Sequence, residues 1–174
     1  MLKMLLCCGG GFSSSHVVER MKKEIRENQL ENEVFIEFSP FSLALDKMHD
    51  YDIVICCPHL YIYVKRLAQM QSLPIPFYIL PPRMYGMMEI KEIYQDAKDI
   101  IHIFRKSGEN PVHFPGEENV LKITRKCAYS HEKIKSKGSF FIQVLNNVEK
   151  KKKIRYNENY LWFERRCKQW NTWL

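Results

Sequence analysis

Apolar and polar positions alternate along the first hundred residues in two rhythms. Short runs, apolar throughout or at every second residue, are separated by stretches in which apolar residues recur every three or four. "KMLLCC" (residues 3–8) is apolar almost throughout and is followed by glycines, as expected of a buried strand. "SSHVVERMKKEIRENQ" then places Val17, Val18, Met21 and Ile25 on one helical face and charges on the other, with a serine available as cap. "EVFIEF" alternates Val34, Ile36 and Phe38, a second strand. "PFSLALDKMHDY" predicts a short helix and "YDIVICC" a third, apolar strand. "PHLYIYVKRLAQMQ" predicts a helix with Pro58 in its first turn, and "IPFYIL" a fourth strand. "MMEIKEIYQDAKDIIHIF" predicts a long amphipathic helix with Ile90, Ile93, Tyr94, Ala97 and Ile101 inward. This βαβαβαβα order predicts an α/β fold, a three-layer sandwich with a four-stranded parallel sheet.

Beyond residue 104 the pattern changes. "RKSGENPVHFPGEEN" carries two prolines and two glycines among polar residues and reads as a linker, placed at 105–119. "ENVLKITRKCAYS" and "GSFFIQVL" are candidate strands. "KKKKIRY" is a basic run, and "NENYLWFERRCKQWNTWL" is consistent with a terminal amphipathic helix. Charge follows the same division. Through Arg105 there are 12 Lys+Arg and 13 Asp+Glu; from Lys106 onward there are 15 and 7. The net charge of +7 therefore sits in the tail. The expected organisation is a domain at 1–104, the linker, and a small basic C-terminal extension of uncertain fold at 120–174.

The 174 residues, 45% of them hydrophobic, suffice for one ordinary domain with a core. No run of about eighteen apolar residues predicts a membrane span, and the N-terminus lacks a signal-peptide cleavage pattern. The six cysteines are 7, 8, 56, 57, 127 and 167. They form neither a disulfide framework nor C-x-x-C zinc spacing, so a reduced cytoplasm is the expected compartment.

The chemistry concentrates in "LLCCGGGFSSSHVVERM". Cys8 ends the first predicted strand, and Gly9, Gly10, Gly11, Phe12 and Ser13 turn into a helix. In open α/β sheets ligands bind outside the carboxyl ends of the strands. Successive backbone N–H groups and a positive helix end there make an anion site. The same surroundings favour a thiolate. The loop thus has what a phosphoryl acceptor needs. Three other readings fail on residue identity. A Walker loop needs Gly-Lys-Ser/Thr, and no lysine lies between Met4 and Arg20. A dinucleotide fingerprint is broken at Ser14. A C-x5-R phosphatase needs arginine where Ser14 stands; without that bidentate partner for the transition-state charge, a thiophosphate persists rather than hydrolysing at once.

The loop resembles the active-site segment of the lactose/cellobiose-class IIB components of the bacterial sugar phosphotransferase system (PTS), in which an apolar strand leads into Cys-x-x-Gly-x-Ser-Ser/Thr-Ser. Cys8, Gly11, Ser13, Ser14 and Ser15 match in order. "YDIVICCPHLYIYVKRL" stands where that family has a strand, a Gly-Pro-Gln turn and a helix, with Cys57-Pro58-His59 in place of the turn. "IPFYILPPRMYGMMEIKEI" resembles its last strand, Tyr-Gly and final helix. The resemblance covers about residues 1–104. It implies that Cys8 accepts a phosphoryl group from a phosphohistidine of an EIIA phosphoprotein and passes it to a sugar bound by the membrane permease EIIC. It also implies that Gly9 to Ser15 form the phosphate-binding loop, and that no metal or cofactor takes part. His16, His59 and Tyr85 are candidate auxiliary residues.

Plainer readings stand beside these. Cys7, Cys56 and Cys57 read as strand packing, Tyr85 and Gly86 as shaping a turn, the serines as helix caps, and the basic run as a solvated segment. A second function of different class is a regulatory protein whose EIIB-like domain senses phosphorylation while the basic tail binds nucleic acid or a partner. A third is a thiol redox switch at Cys8. The expected location is the cytoplasm, with peripheral attachment at the inner face of the membrane as an alternative.

Overall fold

A computed structural model of the chain describes residues 1–9 and 13–134. Its centre is a parallel sheet of β1 (Leu2–Cys8), β2 (Val34–Pro40), β3 (Ile53–Cys56) and β4 (Phe77–Ile79), in the spatial order β2-β1-β3-β4. β1 pairs with β2 from Leu2↔Val34 to Cys8↔Pro40 and with β3 from Met4↔Ile53 to Cys7↔Cys56. The helices are α1 (Ser13–Glu27), α2 (Ala44–Lys47), α3 (Tyr61–Met70), α4 (Pro82–Met87) and α5 (Ile90–Ser107). The α/β three-layer expectation agrees with this arrangement.

The layers follow from strand alternation. Successive side chains point to opposite faces, and a sheet covered on both sides needs apolar residues at every position. Met4, Leu6, Ile53 and Ile55 meet Val18, Met21 and Ile25 of α1, Met84 of α4, and Ile90, Ile93, Ala97 and Ile100 of α5. Leu5, Cys7, Val54, Cys56 and Phe77 meet Ala44 of α2 and Val64 of α3 on the other side. α1 also fixes the ends of its neighbours. The Arg20 guanidinium donates to the carbonyls of Met87 and Met88 at the end of α4, and Glu24 accepts from the Ile90 N–H at the start of α5, 3.1 Å away.

Three details depart from the sequence expectation. The stretch expected to be one helix at 40–51 is broken into a 3-10 turn, α2 and a second 3-10 turn. Tyr85 and Gly86, to which the plainer reading gave only a turn, lie inside α4. On α5 the buried face is Ile90, Ile93, Asp96, Ala97 and Ile100, while Tyr94 and Ile101 are half-buried.

The largest correction concerns 105–130. Chain contacts define a compact unit from Met1 to Glu132, so the segment expected to be a linker belongs to the folded domain. Gly108, with φ of 67°, ends α5 by donating to the Phe104 carbonyl over 2.8 Å. Asn110 then takes the Phe77 N–H at 2.8 Å, and Val112 bridges Tyr78 in parallel, covering the β4 edge. Residues 118–130 form no strand; they hold a 3-10 turn at Val120–Lys122, and helical turns begin at Tyr129. The candidate strand at 138–145, the basic run at 150–156 and the terminal helix at 157–174 lie outside the described residues.

Asp96 explains why that segment packs. Its carboxylate is fully buried and accepts from Arg125 Nη1 at 2.7 Å, the Tyr78 hydroxyl at 2.7 Å and the Tyr129 N–H at 2.8 Å. Arg125 also donates to both oxygens of Glu117, to the Cys127 carbonyl and to the Met84 sulfur. Its guanidinium lies over Phe114, which stacks on Tyr129 at 4.3 Å. Burial pushes the Asp96 carboxyl up, and Arg125 draws it partly back. Burial also opposes the Arg125 charge, but Glu117, Tyr78 and Asp96 outweigh it and hold the guanidinium protonated. Truncating one partner of such a pair strands the other. Arg125→Ala is therefore expected to cost about 3–5 kcal/mol of unfolding free energy in urea titrations. Lys47→Ala, which opens the solvent-facing pair with Glu37, should cost about 0–1 kcal/mol. Equal losses would contradict this account.

Candidate functional site

The carboxyl ends of β1 and β3 lie side by side in mid-sheet. From β1 the chain crosses to β2 on one side, and it returns to β3 on the other. The crevice at such a reversal is where open parallel sheets bind ligands. Cys8 ends β1 there. Alternation puts it on the Met4–Leu6 face, opposite Cys7, which packs among Leu5, Val54 and Cys56. The register Cys7↔Cys56, extended by one residue, brings Cys57 beside Cys8. The Cys57 N–H donates to the Cys7 carbonyl at 3.0 Å and fixes that placement.

Two side chains close over this pair. Tyr85 comes from α4, and its hydroxyl donates to the Cys57 sulfur. His59 comes from the 3-10 turn Pro58–Leu60 that succeeds Cys57. The His59 and Tyr85 rings meet edge to face, 6.3 Å between centroids at 74°. His59 Nε2 accepts from the Gly9 N–H at 3.2 Å. A Cβ on Gly9 would stand 3.4 Å from that nitrogen, so a residue without a side chain suits this approach.

The thiols differ in their surroundings. Burial pushes Cys7 up to about 12, and the neighbouring Cys57 and Cys8 sulfurs add to the rise. Burial likewise pushes Cys57 up to about 12, against the hydrogen bond from Tyr85 that lowers it. Cys56 is raised well above its usual value by burial and by the Cys7 and Cys57 sulfurs. Tyr85 is pushed up to about 12, first by burial and then by Cys57.

Of the residues singled out in the sequence, the structure brings Cys8, Gly9, His59 and Tyr85 to one place. Ser13, Ser14, Ser15 and His16 form the start of α1, at the far end of the loop. Gly10, Gly11 and Phe12 lie outside the described residues. For Cys57 the sequence suggests packing only; it is buried, yet it stands against both Cys8 and Tyr85. Its signal in the sequence is the doubled cysteine at the end of two strands. Among the described residues no cluster of three or more His, Cys, Asp or Glu is arranged to hold a metal.

Comparison with known proteins decides the family. The model for "PTS system, Lactose/Cellobiose specific IIB subunit" matches residues 3–96, more than half of the chain. The chain belongs to this family. It is thus a IIB subunit of the PTS, a phosphotransferase system of sugar transport in which IIB subunits work with IIA and IIC partners. Two solved structures are similar. The cellobiose-specific phosphotransferase IIB component from Borrelia burgdorferi is 26% identical, with a TM-score of 0.48 over 59% of this chain and 93% of that one. The lactose-specific IIB component domain from Streptococcus pneumoniae is 21% identical, with a TM-score of 0.37 over 62% of this chain and 98% of that one. No curated protein matches the chain.

The thiol environments make a prediction. Cys7 and Cys57, raised to about 12, stay protonated at neutral pH, with about one molecule in ten thousand ionised near pH 8. Iodoacetamide footprinting of the native protein should leave Cys7, Cys56 and Cys57 unmodified from about pH 7 to about pH 9. Because the folded state holds these protons more tightly than the unfolded chain, stability should fall as pH rises from about 9 toward 12. A flat stability profile across that window would refute the assignment.

Proposed function

We propose that this IIB subunit is a phosphocarrier whose acceptor is Cys8. The observation that carries the proposal is the position of that thiol. It ends the central strand at the sheet's reversal point, one residue before the Gly9 N–H and five before α1. The Cys8 thiolate attacks the phosphorus of a phosphohistidine on an EIIA phosphoprotein. The S–P bond forms as the N–P bond breaks, and the departing nitrogen keeps the electron pair. Backbone N–H groups of Gly9, Gly10, Gly11, Phe12, Ser13 and Ser14 hold the phosphoryl oxygens, with the hydroxyls of Ser13, Ser14 and Ser15 as further donors. Aligned peptide dipoles at the start of α1 favour the added negative charge. In the second transfer a hydroxyl of a sugar held by EIIC attacks the phosphorus. The P–O bond forms as the S–P bond breaks, the Cys8 thiolate leaves with the electron pair, and the hydroxyl proton passes to solvent. No metal or cofactor enters either step.

The proposed setting is the cytoplasm, at the inner face of the membrane when EIIC is engaged. No helix among the described residues is long and apolar enough to cross a membrane. A second reading draws on the basic tail, with 15 Lys+Arg against 7 Asp+Glu from Lys106 onward. In that reading phosphorylation of the domain tunes a contact between the tail and nucleic acid or a partner. Strong salt dependence of DNA binding by the full chain would favour it.

The carrier reading is tested by intact-mass spectrometry. The protein is incubated with phosphoenolpyruvate, the two general phosphotransferase proteins and a lactose/cellobiose-class EIIA. Wild type should gain one phosphoryl group and Cys8→Ser none. No gain with several EIIA proteins, or an equal gain in both, would defeat the proposal.

A further inference from the structure

The Gly9 N–H is the first donor after Cys8, and it is already engaged. It points to Nε2 of His59, 3.2 Å away. A ring nitrogen that accepts a hydrogen bond carries no proton, so this contact requires the ring with its hydrogen on Nδ1. The contact is close on both sides, since a Cβ on Gly9 would also stand 3.6 Å from His59 Cδ2. The titratable group against the ring is Tyr85 from α4, which in turn lies near Cys57, just after β3, and Cys8 at the end of β1. The ring is exposed to solvent, so a proton reaches it freely.

A phosphoryl group on Cys8 needs that N–H. We infer that His59 is a positioning residue that exchanges roles with the phosphoryl group, accepting from Gly9 while Cys8 is unmodified and donating to the phosphoryl oxygens once Cys8 is phosphorylated. This rests on the carrier reading of Cys8. When the S–P bond forms, Gly9 turns its N–H to a phosphoryl oxygen and Nε2 is released. Nε2 then takes a proton from solvent and makes a charge-assisted hydrogen bond to the same anion. The unmodified site thereby keeps its first donor aligned and satisfied, and the loaded site gains a cation.

The consequence is a signed pH dependence. The phosphorylated state holds one more proton on His59 than the unmodified state, so acid favours loading and alkali favours release. Glutamine offers both an acceptor and a donor but does not titrate. The phosphoryl exchange equilibrium with EIIA is therefore measured for wild type and His59→Gln from about pH 6 to about pH 8.5. The ratio of the two constants cancels the donor's own pH dependence. It should fall at least ~3-fold across that range. In parallel, 1H–15N NMR of unmodified protein should show the Gly9 amide moving as pH is lowered across that range, and losing that movement in His59→Gln. Long-range ring 15N spectra of phosphorylated protein should show His59 as a cation near neutral pH.

A flat ratio on protein that mass spectrometry finds fully phosphorylated would overturn the role exchange and leave the carrier reading intact. A Gly9 amide indifferent to His59 would overturn the resting contact. Failure of either protein to take up a phosphoryl group would instead defeat the carrier reading, and the exchange with it.

Discussion

The parallel pairing of β1 on both of its sides is the constraint on which the site depends. A parallel sheet delivers every strand's carboxyl end to the same edge, and β1 lies between β2 and β3, so its end falls where the chain's path reverses. One register, Cys7 with Cys56, then determines which residues meet. Alternation sends Cys7 and Cys56 into the core beside α3 and leaves Cys8 and Cys57 together on the other face. A shift of one residue would exchange those partners face for face. The apolar run on both faces of β1 makes that shift costly only where side-chain sizes differ. The Cys57 N–H to Cys7 carbonyl bond and the turn at Pro58 therefore matter for holding it.

A second constraint comes from outside the family match. The match ends at residue 96, and among the described residues the buried Asp96 pairs with a cation beyond that span, Arg125. The same guanidinium reaches the Met84 sulfur, and Met84 precedes Tyr85 on α4. At the carboxyl end of α4, Arg20 of α1 holds the Met87 and Met88 carbonyls. The short helix that brings Tyr85 to Cys57 is thus gripped at its middle and at its carboxyl end. A six-residue helix has little stability of its own, so these grips, more than its sequence, set where the tyrosine stands.

That is also why parts of the structure are legible in the sequence and others are not. β1, β3 and α5 are written in local periodicity, because a strand or helix covered by apolar neighbours needs apolar residues at fixed spacing. Cys8 is legible because its importance comes from its place between a strand and a glycine loop. α4 is not legible, since Pro82–Met87 has no periodicity to detect and Tyr-Gly resembles a turn. Asp96 looks like a solvent-facing carboxylate on α5, and only a residue 29 positions later neutralises it. The prolines and glycines of 105–119 suggest a linker because the same residues serve helix termination and edge-covering turns. Packing distinguishes those uses, through Phe114, Val112 and Asn110.

Two thiols standing level at adjacent strand ends raise the question of which one carries an anion. The residues that follow each cysteine bear on that choice. After Cys57 comes Pro58, which has no N–H to offer, in a 3-10 turn that runs directly into α3. The Cys57 sulfur is held in the neutral form by burial, and the Tyr85 hydroxyl supplies its polar contact. After Cys8 comes Gly9, whose N–H already seeks an acceptor in His59, and then the fifteen-residue α1. Under the proposed carrier role, an anion on Cys8 would have the Gly9 N–H and the exposed His59 imidazole at hand. The doubled cysteines are therefore not equivalent copies: a proline without an N–H follows one and the Gly9 N–H follows the other.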